Sequence, residues 1–190
     1  MRKHATLFAA LAGVVVGAHA AGTGTTDATR APLACGLLKP EDLAGTGYAP
    51  IAPQGTSVRL AADQAGAPSD LQAELCFHYQ DAERRHVVHV TVETFDKADG
   101  LAQWVEAKNR LAASDGAQTV TIGEVTCERG DYAQKLADGT RTQHYLTCDR
   151  LVGRRRVGVG FEAQDRAGGL PTDAAALHAL AAIVSRLPAD

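Results

Sequence analysis

Four cysteines, Cys35, Cys76, Cys127 and Cys148, constrain this chain more than any other residues. Whether they cross-link depends on the compartment, and the N-terminus bears on that. Met1, Arg2, Lys3 and His4 form a positive start, and Ala5 to Ala18 is an apolar run. Ala18-His19-Ala20 then sets small residues at the two positions a signal peptidase reads. The run is too short to span a bilayer, so residues 1–20 read as a secretory signal and the cysteines as disulfide partners in an oxidising compartment. Four cysteines allow three pairings. Pairing sequence neighbours gives Cys35–Cys76 and Cys127–Cys148, each contributing roughly 3–4 kcal/mol in the chain-entropy picture. A zinc site is disfavoured, because there is no C-x-x-C and no cysteine has a histidine at zinc spacing. Pro32-Leu33-Ala34 before Cys35 superficially resembles a lipid-attachment box, but it lies far beyond the apolar run and its leucine is one position too close. The expectation is a periplasmic or secreted protein that is not lipidated.

Cleavage after Ala20 leaves 170 of the 190 residues, one domain's worth. Seventeen basic and 22 acidic residues remain, a formal charge of −5. That balance gives no electrostatic footprint for nucleic acid or an anionic membrane. No second apolar stretch reaches spanning length. Residues 21–32 are small, polar and aperiodic, and read as a flexible lead-in to a single domain over 33–190.

Within that domain, Pro40 with Glu41 and Asp42 starts a short helix just after the first cysteine, anchored by Leu37, Leu38 and Leu43. A short strand is expected at Ser57–Leu60. Leu75–Gln80 and His86–Phe95 flank the polar turn Asp81-Ala82-Glu83-Arg84 and predict a hairpin. Pairing Gln80 with Arg85 gathers Phe77, Tyr79, Val88, Val90 and Val92 on a core face, and Cys76, His78, Val87, His89, Thr91 and Glu93 on the other. Lys97 to Ala113 reads as a helix with Leu101, Trp104, Val105, Leu111 and Ala112 on one stripe, Trp104 being its core anchor.

Strands fill Gln118 to Phe161, with hairpin turns at Asp138-Gly139 and Val152-Gly153. Pairing Leu151 with Arg154 sets Tyr145 over Gly160, an aromatic–glycine device, and His144 opposite Phe161 as a hydrogen-bonded edge histidine. Cys127 and Cys148 share a face but fall one pair out of register, which a bulge near Gly130 would correct. Pro171-Thr172-Asp173 caps a last helix that buries Leu177, Leu180, Ala181, Val184 and Leu187 and ends at Pro188. The fold class is therefore α+β, an antiparallel β-sheet with helices packed on one face, braced by two disulfides.

The chemistry is sparse. His86 and His89 are three apart on a strand and point to opposite faces. His78 and His89 share a face diagonally across the hairpin, with Glu93 further along it, which is the best metal-like constellation in the chain; the plain alternative is a polar, half-solvated sheet face. No serine lies in a G-x-S-x-G elbow or S-x-x-K motif, and there is no H-E-x-x-H, P-loop or G-x-G-x-x-G. Arg154-Arg155-Arg156 is the one dense basic run and reads as solvated charge after a turn, with Arg155 snorkelling from the apolar face. No cofactor, catalytic residue or metal ligand is assigned.

Cys35-Gly-Leu-Leu-Lys-Pro-Glu-Asp-Leu-Ala resembles the opening of small exported bacterial domains of the DUF3558-like type, and Cys76-Phe-His-Tyr resembles their second cysteine-plus-aromatic strand. Similar domains include the extracellular sensor domains of actinobacterial receptor kinases. The resemblance implies a disulfide-braced α+β module with a ligand- or partner-binding role. The expected function is an exported binding module for an envelope component, small molecule or protein, immunity or inhibitor proteins included, with His78, His89, Glu93 and Tyr145 as the candidate binding face. The alternative is a metal-dependent or acid/base hydrolase using His78, His89 and Glu93.

Overall fold

The computed structural model describes residues 32–49, 53–59, 72–79, 86–95, 100–106, 116–136, 139–164 and 169–189. The expected signal at 1–20, nearly all of the lead-in and the polar turn at 81–84 lie outside them. A short helix α1 (Leu33–Leu37) contains Cys35, and a 3-10 helix follows at Pro40–Leu43 with Pro40 in its first turn. Seven strands come next: β1 (Pro53–Arg59), β2 (Gln72–Tyr79), β3 (His86–Thr94), β4 (Gln118–Ile122), β5 (Val125–Leu136), β6 (Gly139–Val152) and β7 (Arg155–Gln164). Helix α2 covers residues 100–106 between β3 and β4. Helix α3 (Asp173–Ser185) closes the fold, with the Thr172 side chain accepting from the Ala175 amide as its N-cap.

All strands lie in one antiparallel sheet of order β1-β2-β3-β7-β6-β5-β4. The expected α+β class and both disulfides, Cys35–Cys76 and Cys127–Cys148, are present. Val88, Val90, Val92, Leu146, Val157, Val159 and Phe161 form the buried floor of one face. Residues of α1, the 3-10 helix and α3 cover that floor. Helix α2 instead meets the opposite face at one end, where Trp104 and Leu101 close over Phe95.

The strands adopt registers other than those read from the turns. β2 and β3 pair Phe77 with His89 and Cys76 with Val90, one residue away from the expected register. A one-residue slip exchanges faces. Cys76 and His78 therefore join Val88, Val90 and Val92 on the helix-covered face, while Ala73, Leu75, Phe77 and Val87 form a small cluster on the other. The disulfide explains the choice, since Cys76 reaches Cys35 only from the face that carries α1. Apolar residues on both sides of β2 leave its alternation ambiguous.

The β5–β6 ladder runs unbroken from Val125–Arg150 to Leu136–Gly139, with Cys127 directly opposite Cys148. The connecting pair is therefore 137–138 instead of 138–139, and the bulge at Gly130 is absent. Likewise the β6–β7 turn is Gly153-Arg154, because Val152 pairs with Arg155. In α3 the deepest stripe is Ala176, Ala179, Leu180 and Ile183, with Leu177, Val184 and Leu187 at its margins and Ala181 exposed. Two alanines on that stripe let the helix axis approach the sheet, which turns the buried side away from the larger leucines.

The two ends of the chain are tied by Asp42 and Arg186. The buried Asp42 carboxylate accepts from Arg186 Nη1, from Arg186 Nη2 at 2.8 Å and from the Lys39 amide at 2.7 Å. Burial alone would raise the Asp42 pKa, but the Arg186 and Lys39 hydrogen bonds outweigh it and hold the group below its ordinary value of 3.8. Such a carboxylate stabilises the fold above its unfolded-state pKa, and this contribution is lost as the pH falls through the lower folded value. Asp42→Asn is therefore expected to be less stable than the wild type at neutral pH, with the difference shrinking as acid protonates Asp42. Urea denaturation of both proteins across the acid range checks this; a difference that stays constant down to about pH 2 would show that the ion pair is not its source.

Candidate functional site

The chain's polar chemistry gathers on the sheet face opposite α1 and α3. Strand alternation brings His89, Thr91 and Glu93 of β3 there, with Arg156, Gly158, Gly160 and Glu162 of β7, Gln143, Tyr145, Thr147 and Asp149 of β6, and Glu128, Gly130 and Tyr132 of β5. Of the expected binding face, His89, Glu93 and Tyr145 lie on this side. His78 does not. The β2–β3 register turns it to the other face, where it is 4 % exposed and its Nε2 has no hydrogen-bond partner among the described residues. Burial pushes the His78 pKa down and favours the neutral ring. His78 and His89 therefore cannot grip one ion from a shared face, and no group of three metal-ligating side chains converges among the described residues.

Two networks organise the polar face. In the first, Arg156 lies between two carboxylates. Its Nε and Nη2 donate to Asp149 Oδ2 and Oδ1, each at 2.7 Å, and its Nη1 donates to Glu93 Oε2 at 3.0 Å. Trp104 Nε1 donates to the same Glu93 oxygen at 3.0 Å, which pins α2 to the sheet. Glu93 is 1 % exposed. Burial would lower the Arg156 pKa, but the charges of Glu93 and Asp149 outweigh it and raise it. The guanidinium stays charged, and Arg156 is a buried structural cation instead of the solvated charge its sequence context suggests. Arg155 does point to the apolar face, where its Nη1 reaches out to donate to the Pro188 carbonyl at 2.8 Å.

The second network centres on Glu162. Tyr132 donates to Glu162 Oε2 at 2.8 Å, Gln143 donates to it at 3.4 Å, and His89 Nδ1 lies 3.5 Å from Oε1. Burial and then the Glu162 charge push the Tyr132 pKa up, so its phenol remains a donor. Tyr145 donates to Glu128 Oε1 at 2.7 Å. The aromatic–glycine device is present with other partners. Tyr145 lies over Gly130 and is opposite Glu162, while the His89 ring lies over Gly160. His144 is opposite Ala163 instead of Phe161, and its Nδ1 lies 2.6 Å from Asp131 Oδ1.

The Arg156 network is closed among its own members, whereas in the Glu162 network Gln143 Oε1 is buried without a hydrogen-bond partner among the described residues. A cavity of about 100 Å³ lies between Val105 of α2, Glu124 and the Asp149–Arg156 pair. It is well below the roughly 300–1,000 Å³ of a small-molecule pocket.

A different surface escaped the sequence reading. Among the described residues β4 is the last strand on its side of the sheet, and all five of its residues, Gln118-Thr119-Val120-Thr121-Ile122, are exposed. Val120 and Ile122 are 48 % and 44 % exposed; with Leu151 of β6, 46 % exposed on the opposite face of the sheet, they are the exposed large hydrophobics among the described residues. The legible signal was an uncharged, β-branched run, which by itself reads only as a strand.

Two outcomes follow from the networks. Arg156→Met leaves the buried Glu93 and the half-buried Asp149 without their cation, and is expected to cost about 3 kcal/mol in urea denaturation. Emission from Trp104, the single tryptophan, should shift as its Glu93 contact loosens; an unchanged stability would rule the triad out as a structural element. A Cβ at Gly160 would clash with His89 Cε1 and Nε2. Gly160→Ala should therefore destabilise the fold, and His89→Ala in the same chain should recover part of the loss. Thermal melts of the two single variants and the double variant measure that coupling, and simple additivity would contradict the close approach.

The chain matches no protein-family model and no curated protein.

Proposed function

We propose that this chain is an exported, disulfide-braced interaction module that accepts an extended strand of a protein partner on the outer edge of β4. One observation carries the reading: β4 ends the sheet with five exposed residues and has neither a charge nor a proline among them. Edge strands are ordinarily guarded by lysine, proline or a bulge, because their free backbone groups template further pairing. Strand addition takes affinity from main-chain hydrogen bonds and specificity from alternate side chains.

Local geometry supports the edge as a prepared surface. Ile122 pairs with Val125 across the two-residue turn Gly123-Glu124, where Gly123 has φ 63°, a value that favours glycine. Such a closing pair is hydrogen-bonded, so the amides of Gln118, Val120 and Ile122 face β5. Those of Thr119 and Thr121 face outward. Behind them, Cys127 lies opposite both Val120 and Cys148, and its disulfide stiffens the strand that supports β4.

Export rests on the signal-like residues 1–20 and on two disulfides of the kind that persist in oxidising compartments. Among the described residues no helix is long and apolar enough to cross a membrane. The resemblance of the Cys35 and Cys76 motifs to DUF3558-like exported domains points towards binding as well. The hydrolase alternative needs His78 beside His89 and Glu93, and the sheet register sends it to the other face.

The test uses immobilised mature protein and solubilised envelope proteins. Thr121→Pro removes an outward donor while sparing the β4–β5 ladder. It is expected to abolish retention of a partner that the wild type holds, with an unchanged melting profile. Retention equal to wild type would exclude the β4 edge as the binding site.

A further inference from the structure

We propose that the strand taken up by β4 is β4 of a second copy, so that two chains form one continuous sheet about a two-fold axis; this rests on the reading of β4 as a pairing edge. A two-fold axis through Val120 sets an antiparallel register in which Val120 meets its own counterpart, Thr119 meets Thr121 and Gln118 meets Ile122. This register matches the backbone. Thr119 and Thr121 carry the outward amides and carbonyls, and they fall opposite one another as hydrogen-bonded pairs. Val120 falls at the closer non-hydrogen-bonded position, where facing side chains touch most.

The side chains agree with self-pairing. Thr–Thr and β-branched pairs are favourable cross-strand partners, and like charges opposite one another are not. β4 has no charged residue, so a second copy meets no repulsion anywhere along the strand. The charges beside β4 are engaged within one chain: Glu128, opposite Thr119, accepts from Tyr145 at 2.7 Å, Arg150 pairs with Glu124, and Arg129 with Asp173 at 2.8 Å. Val120 and Ile122 lie on the same face as Cys127 and Val125, beside the main core. Pairing would extend that apolar floor across the axis and cover the two residues that one chain leaves 48 % and 44 % exposed. Each copy uses the same patch, so the contact closes at two chains and does not propagate.

Sedimentation and light scattering of the mature protein over a range of concentrations test the proposal. The wild type is expected to pass from monomer to dimer. Thr121→Pro and, separately, Val120→Lys are expected to remain monomeric with wild-type circular dichroism. Amide hydrogen exchange on the wild type alone supplies a measurement that needs no variant. Protection of the Thr119 and Thr121 amides should rise with concentration, while that of Val120, already bonded to β5, should change little. A monomer at every concentration, a dimer that survives both substitutions, or outward amides whose exchange ignores concentration would each overturn self-pairing. If the wild type stays monomeric yet Thr121→Pro still abolishes capture of an envelope protein, the second copy is the wrong occupant and the interaction reading stands. If neither dimer nor capture depends on β4, both fail.

Discussion

The pairing of β3 with β7 joins the molecule. β1–β3 form one hairpin series and β4–β7 another, and only this ladder makes them a single sheet. On one side it aligns Val88, Val90 and Val92 with Phe161, Val159 and Val157, all buried, as the floor on which α3 and the N-terminal helices rest. On the other it aligns His89 with Gly160, Thr91 with Gly158 and Glu93 with Arg156. Gly160 leaves room for the His89 ring, and the Glu93–Arg156 ion pair lies near the end of the ladder. Apolar burial and polar organisation thus arise from the same set of backbone hydrogen bonds.

The buried Arg156 triad shows how the second face is held without an apolar core of comparable size. Removing charges from water is costly, and the cost is offset only when every donor and acceptor finds a partner at good geometry. Here Asp149 takes two parallel bonds, and Glu93 takes one from Arg156 and one from Trp104. The same residues join β3, β6, β7 and α2, so a polar contact fixes the position of a helix. The edge at β4 stands apart from these networks, and its side chains remain available.

Much of the fold was legible because strands and caps leave local signals. The Thr172 cap, the helix at Asp173–Ser185, Pro40 at the first turn and the neighbour pairing of cysteines were all carried by short-range chemistry. Registers were not. β2 has apolar residues on both faces, so alternation could not choose between Leu75 and Cys76 as the partner of Val90; the covalent reach to Cys35 decides it. With that slip the His78–His89 pair dissolved, because one residue of register moves a side chain through the sheet. The Arg156 triad was hidden for a related reason: Asp149 is only seven residues from Arg156, but Glu93 is 63 residues away, and the β3–β7 ladder is what brings it to them.

Each disulfide lies wholly within one half of the molecule, Cys35–Cys76 on the side of β1–β3 and Cys127–Cys148 inside the β4–β7 meander. No disulfide crosses the β3–β7 ladder. Among the described residues the ties that cross it include the ladder itself, apolar packing of Tyr48 on Phe161, the Tyr48 hydroxyl donating to the Glu162 carbonyl, and the ion pairs Asp42–Arg186 and Glu93–Arg156. An oxidised but unfolded chain therefore keeps two stapled loops and must still bring β3 to β7 by diffusion, the costly long-range step of an otherwise local topology. The molecule has a line along which it can part without breaking a bond. Acid that protonates Asp42 weakens that line while each half keeps its own cross-link.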